Sequence, residues 1–206
     1  NCVWTVTTNI TKATIGTTLF AFEDNLLMTS DYVFVPYDVG VGDWTSVTGD
    51  GLSYRVEYEG AAYIDGEELT VFNIYKQLIT TGYELERGFY TYTLKNGVMT
   101  LTGKAENNGT NSCYYGKPEL NKDATSWTMT IAGQTYPVAA SPIIKDLRAS
   151  AYTPIATLDE LYLGMQSDAD NNLTVAVTMN PVTKTVECIY VVDTSWQSTV
   201  TIGFNA

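Results

Sequence analysis

The chain has 206 residues, with 23 acidic and 11 basic side chains, a formal net charge of −12 and an aromatic content of 12%. The negative charge excludes nucleic acid as an expected partner, since proteins bind phosphate backbones with clustered Lys and Arg, and the apolar content excludes a disordered chain. The sequence contains no histidine, which excludes the Ser-His-Asp triad, the Cys-His pair and His-ligated metal centres.

The first predicted strands are short segments in which apolar and polar residues alternate. Residues 2–8, CVWTVTT, place Trp4 in the core, and residues 53–59, SYRVEYE, place Val56 opposite Arg55. This alternation is typical of half-buried β-strands. Asp65-Gly66 then supplies a two-residue hairpin turn.

Residues 69–82, LTVFNIYKQLITTG, fit two secondary structures. Phe72, Tyr75 and Leu78 recur at helical spacing, and Gly82 follows as a helix terminator. The many β-branched residues of the same segment favour a strand instead. Both interpretations stay open at this stage.

Residues 89–103, FYTYTLKNGVMTLTG, predict a β-hairpin. Asn96-Gly97 supplies the two positive-φ positions of a type I′ turn. Lys95 should therefore pair with Val98, and the successive residues of the two strands should pair in register as far as Thr91 with Thr102. Paired residues share a face of the sheet. One face therefore carries the threonines, and the other, which we predict to be the core side, carries Tyr90, Tyr92, Leu94, Met99 and Leu101.

The C-terminal half predicts further strands and one short helix. Residues 126–132, SWTMTIA, form a strand that ends in an Ala132-Gly133 turn and places Trp127 in the core. Thr157 and Glu160 have capping-box spacing, which favours a helical turn, although a hairpin fits the same residues. Residues 173–192 predict two strands joined by a turn at 180–183, and residues 198–204 predict a third.

These elements predict an all-β fold, an antiparallel sandwich or barrel of hairpins and meanders with at most one or two short helices. The best domain boundary lies in residues 136–154, which contain three prolines and lack clear alternation. We therefore expect a β domain at 1–140 with a C-terminal meander at 141–206 packed on it, or a single domain at 1–206. No apolar run approaches the ~20 residues of a membrane span.

The three cysteines, Cys2, Cys113 and Cys188, do not have the spacing of a zinc site. Cys188 alternates with Val186, Tyr190 and Val192, which predicts a small buried apolar residue. Cys2 is expected to be an ordinary thiol or to pair with another cysteine. The chain begins at Asn1-Cys2 without a methionine, as a processed exported protein does, so a lipid anchor at Cys2 is a further hypothesis.

Aromatic residues in loops are the main candidates for ligand binding, since Trp and Tyr rings stack on the C–H faces of sugars while nearby polar groups bind hydroxyls. The sequence does not decide between this role and simple packing at the end of a sandwich or barrel. The candidate side chains are Trp44, Trp196, Tyr114, Tyr115, Asp43 and Gln197.

Metal and carboxylate chemistry receive weaker support. Asp168, Asp170 and Asn172 alternate as calcium ligands do, but this segment lacks the glycine and glutamate that an EF-hand loop requires. Two carboxylates flanking a glycosidic bond would permit hydrolysis. The nearby pairs, Glu57 with Glu59 and Glu84 with Glu86, lie beside arginines, a pattern typical of solvent-exposed strand faces. The sequence therefore favours a protein without enzymatic activity and without a cofactor.

The Thr- and Tyr-rich strands and the Asp-Gly, Asn-Gly and Asn-Pro turns resemble exported β proteins of bacterial envelopes, including glycan-capture lipoproteins and adhesin modules. This resemblance implies a secreted, cell-surface or periplasmic protein that binds a polysaccharide or another surface macromolecule. The alternatives are a lipocalin-like carrier of a small apolar ligand, with Tyr90, Tyr92, Met99 and Leu101 around a cavity, a structural or adhesive subunit, and a carboxylate glycoside hydrolase.

Overall fold

A computed structural model describes residues 30–40, 44–48, 51–79, 84–106, 111–148, 153–167 and 173–193. This part of the chain consists mostly of strands with one α-helix, which confirms the all-β prediction. Two six-stranded sheets, a barrel and a half-barrel, contain all the strands. The predicted strands at 2–8 and 198–204, and the side chain of Trp4, lie outside the described residues.

The first sheet closes into a barrel. Its strands are β1 (Val33–Val35), β2 (Trp44–Thr48), β3 (Ser53–Ile64), β4 (Glu67–Tyr75), β5 (Gly88–Lys95) and β6 (Val98–Lys104). Their order is β1-β5-β6-β4-β3-β2, and a further antiparallel pairing of Phe34 with Tyr63 joins β1 to β3. Five strands thus form the closed wall, and β2 pairs with the first residues of β3, Ser53 to Val56. The pairs are antiparallel except β4 with β6, which is parallel.

The interior of the barrel is filled by apolar side chains. The segment that fitted both a helix and a strand is the strand β4, followed by a short 3₁₀ turn at Lys76–Leu78. Phe72 and Ile74 of β4 point inward, at most 1% exposed, because alternate residues of a strand share a face. They pack with further buried residues of the other strands, among them Val33, Val35, Val56, Ile64, Tyr90, Met99 and Leu101.

The hairpin of β5 and β6 confirms the predicted turn and faces. Asn96 and Gly97 have φ of 54° and 76°, and the pairing runs as predicted from Lys95 with Val98 to Tyr92 with Leu101. The prediction for Thr91 was wrong, because a bulge intervenes and Thr91 pairs with Gly103. Tyr90 is nevertheless buried on the core side, and its hydroxyl donates to the Glu86 carbonyl at 2.5 Å.

Two further predicted hairpins are present. Asp65 and Gly66 have φ of 46° and 82° between β3 and β4. In the second sheet, Ala132 and Gly133 have φ of 49° and 81°. In both turns the positive φ of two successive residues matches the right-handed twist of the flanking strands, which is why such turns set register locally.

The second sheet forms the half-barrel. Its strands are β7 (Cys113–Gly116), β8 (Glu119–Lys122), β9 (Trp127–Ile131), β10 (Gln134–Asp146), β11 (Leu173–Met179) and β12 (Val186–Asp193), in the order β7-β11-β12-β10-β9-β8. Four of the pairs are antiparallel, as predicted, whereas β10 and β12 run parallel. The helix α1 (Leu158–Ser167) lies between β10 and β11 in the chain. Among the described residues no helix is both long and apolar enough to cross a membrane.

Both faces of the second sheet are covered at its centre, and every residue of β11 is buried. One face packs against Leu158 and Leu161 of α1 in a core that includes Val175 and Val177. The opposite face packs against the barrel, where Ala176 belongs to the same cluster as residues of β1 and β5. Burial on both faces explains why β11, LTVAVTM, has no charged residue and why its only polar side chains are the small Thr174 and Thr178.

The contact between the two sheets is aromatic. The Tyr190 ring of β12 lies 5.0 Å from the Phe34 ring and 5.9 Å from the Tyr63 ring, measured between centroids. Phe34 also lies 5.0 Å from Phe89. The Tyr190 hydroxyl accepts a hydrogen bond from the Gly66 amide at 3.1 Å. A ring from the half-barrel therefore packs against β1 and β3 of the barrel and reaches one of its hairpin turns.

Cys113 and Cys188 are buried thiols that both lie opposite Thr178 of β11, one on each neighbouring strand. Two strand spacings, ~9.6 Å, separate them, which is beyond the reach of a disulfide. The prediction that Cys188 is buried is confirmed, since it is 1% exposed. A bulge at Glu187 turns Val186 to the other face, so the predicted common face of Val186 and Cys188 was wrong. Cys2 lies outside the described residues.

The segment predicted as a boundary is mostly strand. β10 runs unbroken across residues 140 and 141, whereas the two sheets divide between Lys104 of β6 and Cys113 of β7. The prolines are accommodated because Pro137 and Pro142 lie in a long strand whose register shifts between Val138 and Ile143. The division into two domains stays a prediction.

Candidate functional site

Most of the residues predicted to bind a ligand or a metal lie outside the described part of the chain, namely Asp43, Trp196, Gln197, Asp168, Asp170 and Asn172. Trp44 is the first residue of β2, and its backbone pairs with Val56 of β3. It therefore begins a strand, and its predicted place in a loop was wrong. A role of these residues in binding stays a prediction.

Tyr114 and Tyr115 lie in the strand β7 and not in a loop. Successive side chains of a strand point to opposite faces. Tyr114 accordingly packs against the core beneath α1, and Tyr115 packs against the cluster shared with the barrel. Burial raises the pKa of both hydroxyls, with the nearby Arg87 opposing this for Tyr115. The structure therefore does not bring the two rings together on one surface.

A pocket of about 350 Å³ opens two residues after this tyrosine pair. Among the strands that the structure describes, β7 and β8 stand at the two edges of the half-barrel, and residues 117 and 118 connect them. The pocket lies where this connection and β8 approach α1 and the first residue of β11. It is lined by residues 117–121 and by Tyr162, Met165, Gln166 and Leu173.

The pocket has an apolar floor and a polar rim. Leu120 and Leu173 are 7% and 5% exposed, and Pro118 is buried beside them. Tyr162 and Met165 of α1 are half-buried at the wall. The exposed rim carries two charged residues and two carboxamides, Lys117, Glu119, Asn121 and Gln166. The exposed surface of the pocket is therefore mixed and somewhat more polar than apolar. A few placed polar groups are what fixes the orientation of a small ligand in such sites.

Contacts between α1 and the sheet hold the wall of the pocket in place. The Trp127 ring of β9 meets the Tyr162 ring edge-on, with 5.6 Å between centroids. The Lys122 ammonium lies 5.0 Å from the Trp127 ring and 2.5 Å from a carboxylate oxygen of Asp159. Trp127 was predicted to lie in the core; it is half-buried and packs against the core cluster that includes Leu158 and Leu161 of α1. Trp127 of β9 therefore holds the Tyr162 ring in position, and Lys122 of β8 in turn contacts Trp127.

The helix that supplies this wall begins with the predicted capping box. The Glu160 amide donates to Thr157 Oγ1 at 3.2 Å, and Glu160 Oε2 accepts from the Thr157 amide at 3.0 Å and the Ala156 amide at 2.9 Å. The hydrogen bonds to the Glu160 side chain, of which the one from the Ala156 amide has the largest effect, hold the pKa of Glu160 below its ordinary value. They satisfy backbone donors that a helix start leaves without partners.

A buried ion pair fixes the chain that leads into α1. The Arg148 guanidinium donates to both oxygens of Asp146, at 2.9 and 2.6 Å, and Asp146 also accepts from the Ile155 amide at 2.8 Å. The two side chains are only 8% and 10% exposed. Burial alone would raise the pKa of Asp146, but the hydrogen bonds from Arg148 and Ile155 outweigh it and hold the pKa below its ordinary value.

The residues that line the pocket carry few groups of the kind that catalysis of hydrolysis or metal binding requires. Glu119 carries the one carboxylate among its lining residues, whereas glycoside hydrolysis requires two flanking the scissile bond. Within the described ranges no group of three or more cysteine, aspartate or glutamate residues is placed to hold a metal ion. The lining offers instead one aromatic face, four aliphatic residues and hydrogen-bonding groups of both kinds.

Sequence reasoning missed Tyr162 and the pocket around it. Leu158, Leu161, Tyr162 and Met165 recur at the spacing of one helix face, which predicts packing and nothing more. The opposite wall lies about 40 residues earlier in the chain, and no local pattern joins the two. Only the curvature of the half-barrel brings them together.

No family model matches the chain, and neither does any curated protein. Among solved structures, the chain is similar to Mycoplasma genitalium RNase R in complex with ribose methylated single-stranded RNA. The TM-score is 0.15 at 11% sequence identity, and the alignment covers 78% of this chain and 21% of that chain. A similarity at this level carries no inference about fold or function.

Proposed function

We propose that this chain is a non-catalytic β protein, exported to the cell envelope, and that the pocket beside α1 binds a glycan. The glycan proposal rests on one observation: the half-buried Tyr162 ring and the rim carboxamides of Asn121 and Gln166 surround a pocket of about 350 Å³. A sugar ring presents a C–H face that stacks on a tyrosine, and its hydroxyls need both donors and acceptors. A carboxamide offers both.

The alternatives receive less support from the same residues. The predicted lipocalin-like cavity would be lined by Tyr90, Tyr92, Met99 and Leu101, yet these side chains pack with the rest of the barrel core. A closed wall of five strands is narrower than the eight that enclose a small ligand. Hydrolysis lacks a second carboxylate at the pocket. A structural or adhesive subunit would use the edge strands instead.

Glycan binding and the role of Tyr162 can be tested together. The purified chain is applied to a polysaccharide and oligosaccharide array, and the affinity for each hit is measured by calorimetry. Tyr162→Ala is expected to weaken binding about tenfold, since it removes the stacking face. Leu163→Ala is the matched control, because Leu163 is the next residue of α1, is 63% exposed and does not line the pocket.

Two outcomes would contradict the proposal. One is that no glycan binds to the chain. The other is that a glycan binds and Tyr162→Ala leaves its affinity unchanged. A parallel Trp44→Ala, Trp196→Ala double variant tests the residues that the sequence favoured, and a loss of binding in this variant alone would move the site away from α1.

A further inference from the structure

We infer that the pocket accepts a neutral N-acetylated amino sugar at the end of a glycan chain, an inference that rests on the proposed binding of a glycan at this site. The pocket is small. About 350 Å³ lies at the lower end of the ~300–1,000 Å³ that small-molecule sites occupy. Such a pocket holds a short ligand, and the rest of a longer glycan would lie outside it.

Aliphatic residues form the floor of the pocket. If the Tyr162 ring covers a C–H face of a plain hexose, the edge of the sugar that faces the rest of the pocket carries hydroxyls. Pro118, Leu120 and Leu173 would then face hydroxyl groups to which they offer no hydrogen bond, which costs binding free energy. The methyl of an acetamido group is an apolar substituent that this floor can bury.

The rim of the pocket carries two carboxamides. An acetamido group has one N–H donor and one carbonyl acceptor, and Asn121 and Gln166 carry the complementary acceptor and donors, one on each wall of the pocket. The hydroxyls of a plain hexose can bond the same carboxamides, but they bring no apolar group to bury beside them.

Lys117 and Glu119 lie two residues apart on the same wall of the pocket and carry opposite charges. Their fields largely cancel, so a uronate or a free amino sugar gains no net attraction that would offset the loss of water from its own charge. A neutral sugar does not carry this cost, and N-acetylation is the change that makes an amino sugar neutral.

The experiment compares three matched methyl glycosides on the full chain by calorimetry at pH 7, namely N-acetylglucosamine, glucose and glucosamine, and repeats the set in the galacto series. In at least one series the N-acetylated sugar is expected to bind about tenfold more tightly than the other two, from one buried methyl and one hydrogen bond. Saturation-transfer NMR should give its strongest signal at the acetyl methyl.

A variant separates the acetyl contact from the rest of the site. Met165→Ala removes one of the four aliphatic residues that line the pocket and that an acetyl methyl could contact. It is expected to reduce the preference for the N-acetylated sugar, while circular dichroism checks that the variant is folded. Equal affinities for glucose and N-acetylglucosamine, both lost in Tyr162→Ala, would overturn this inference and leave the proposed function standing. If no glycan on the array binds, both fail.

Discussion

The Tyr190 hydroxyl of the half-barrel accepts a hydrogen bond from the Gly66 amide of the barrel at 3.1 Å. Tyr190 is 1% exposed, and its ring lies against Phe34 and Tyr63. One side chain therefore contributes both aromatic packing and an acceptor to a hairpin turn of the other sheet. The contact between the two sheets is therefore buried, and it includes both ring packing and a directed hydrogen bond.

Removing only the hydroxyl separates these two contributions. Tyr190→Phe keeps the ring and leaves the Gly66 amide without this acceptor, so the free energy of unfolding should fall by about 1–2 kcal/mol in urea titrations. Tyr136→Phe is the control, because the Tyr136 hydroxyl donates to Gln134 at the exposed surface. A change within about 0.5 kcal/mol is expected there. Equal effects of the two substitutions would show that the Gly66 contact does not stabilise the fold.

Gly66 and Gly133 offer a comparison between two glycines with nearly the same backbone, φ +82° and +81°. A Cβ at Gly66 would lie 2.5 Å from Cγ2 of Ile143, whereas a Cβ at Gly133 would meet no atom within 4 Å. Gly133→Ala should cost about 1 kcal/mol from the left-handed conformation alone, and Gly66→Ala should cost about 1–3 kcal/mol more from the clash. Thermal unfolding of both variants tests this, and equal losses would exclude the close packing at Gly66.

The buried ion pair of Asp146 and Arg148 should contribute far more to stability than the exposed pair of Lys122 and Asp159. Asp146→Asn leaves Arg148 buried without its carboxylate, so we expect a loss of about 3 kcal/mol. Asp159→Asn removes a charge that is 64% exposed, and we expect less than about 1 kcal/mol. Chemical denaturation of the two variants measures both values. The idea fails if the two losses are similar.

The same ion pair predicts a dependence of stability on pH. Because the pKa of Asp146 is lowered on folding, its contribution is fully present above the unfolded pKa of ~3.9 and is lost as the pH falls through the folded pKa. The free energy of unfolding should be nearly independent of this group above about pH 5. Below about pH 4 the difference between wild type and Asp146→Asn should shrink. A difference that grows in acid would contradict this assignment.

The thiol of Cys188 should be inert in the native protein. Burial raises its pKa to about 12, so the reactive thiolate is scarce at ordinary pH. Iodoacetamide at pH 8 is expected to leave Cys188 unmodified in buffer and to modify it fully in concentrated urea, as peptide mass spectrometry can measure. Rapid labelling of Cys188 in buffer would mean that the contact between the sheets opens readily.

Local chemistry accounts for what the sequence predicted correctly. A two-residue turn such as Asn96-Gly97 fixes the pairing of the residues next to it, and the hydrogen bonds of Thr157 and Glu160 span only three residues. The bulge at Thr91 was missed because it depends on how β5 curves to pair with β1 on its other side. The parallel pairing of β10 with β12 joins strands about 50 residues apart, and no short pattern encodes it.

The candidate pocket lay beyond sequence reasoning for a related physical reason. Alternation and helical spacing show which side of an element is apolar, but not which other element covers it. Tyr162 and Leu173 therefore had the pattern of ordinary core residues, and Asn121 that of an exposed strand residue. Their common site arises only from the way in which the edge strands β7 and β8 curve toward α1.

The complete burial of β11 also constrains how the chain can fold during synthesis. β7 pairs with β11 and, in the described part of the chain, with no other strand, although some 56 residues separate them. When a nascent chain has left the ribosome only as far as α1, the residues of β7 to β10 are available. The two central strands between β7 and β10 in the sheet, β11 and β12, are not yet available. Such contacts between distant segments form slowly. Until residues 173–193 emerge, the apolar faces that they will cover remain open to chaperones and to aggregation.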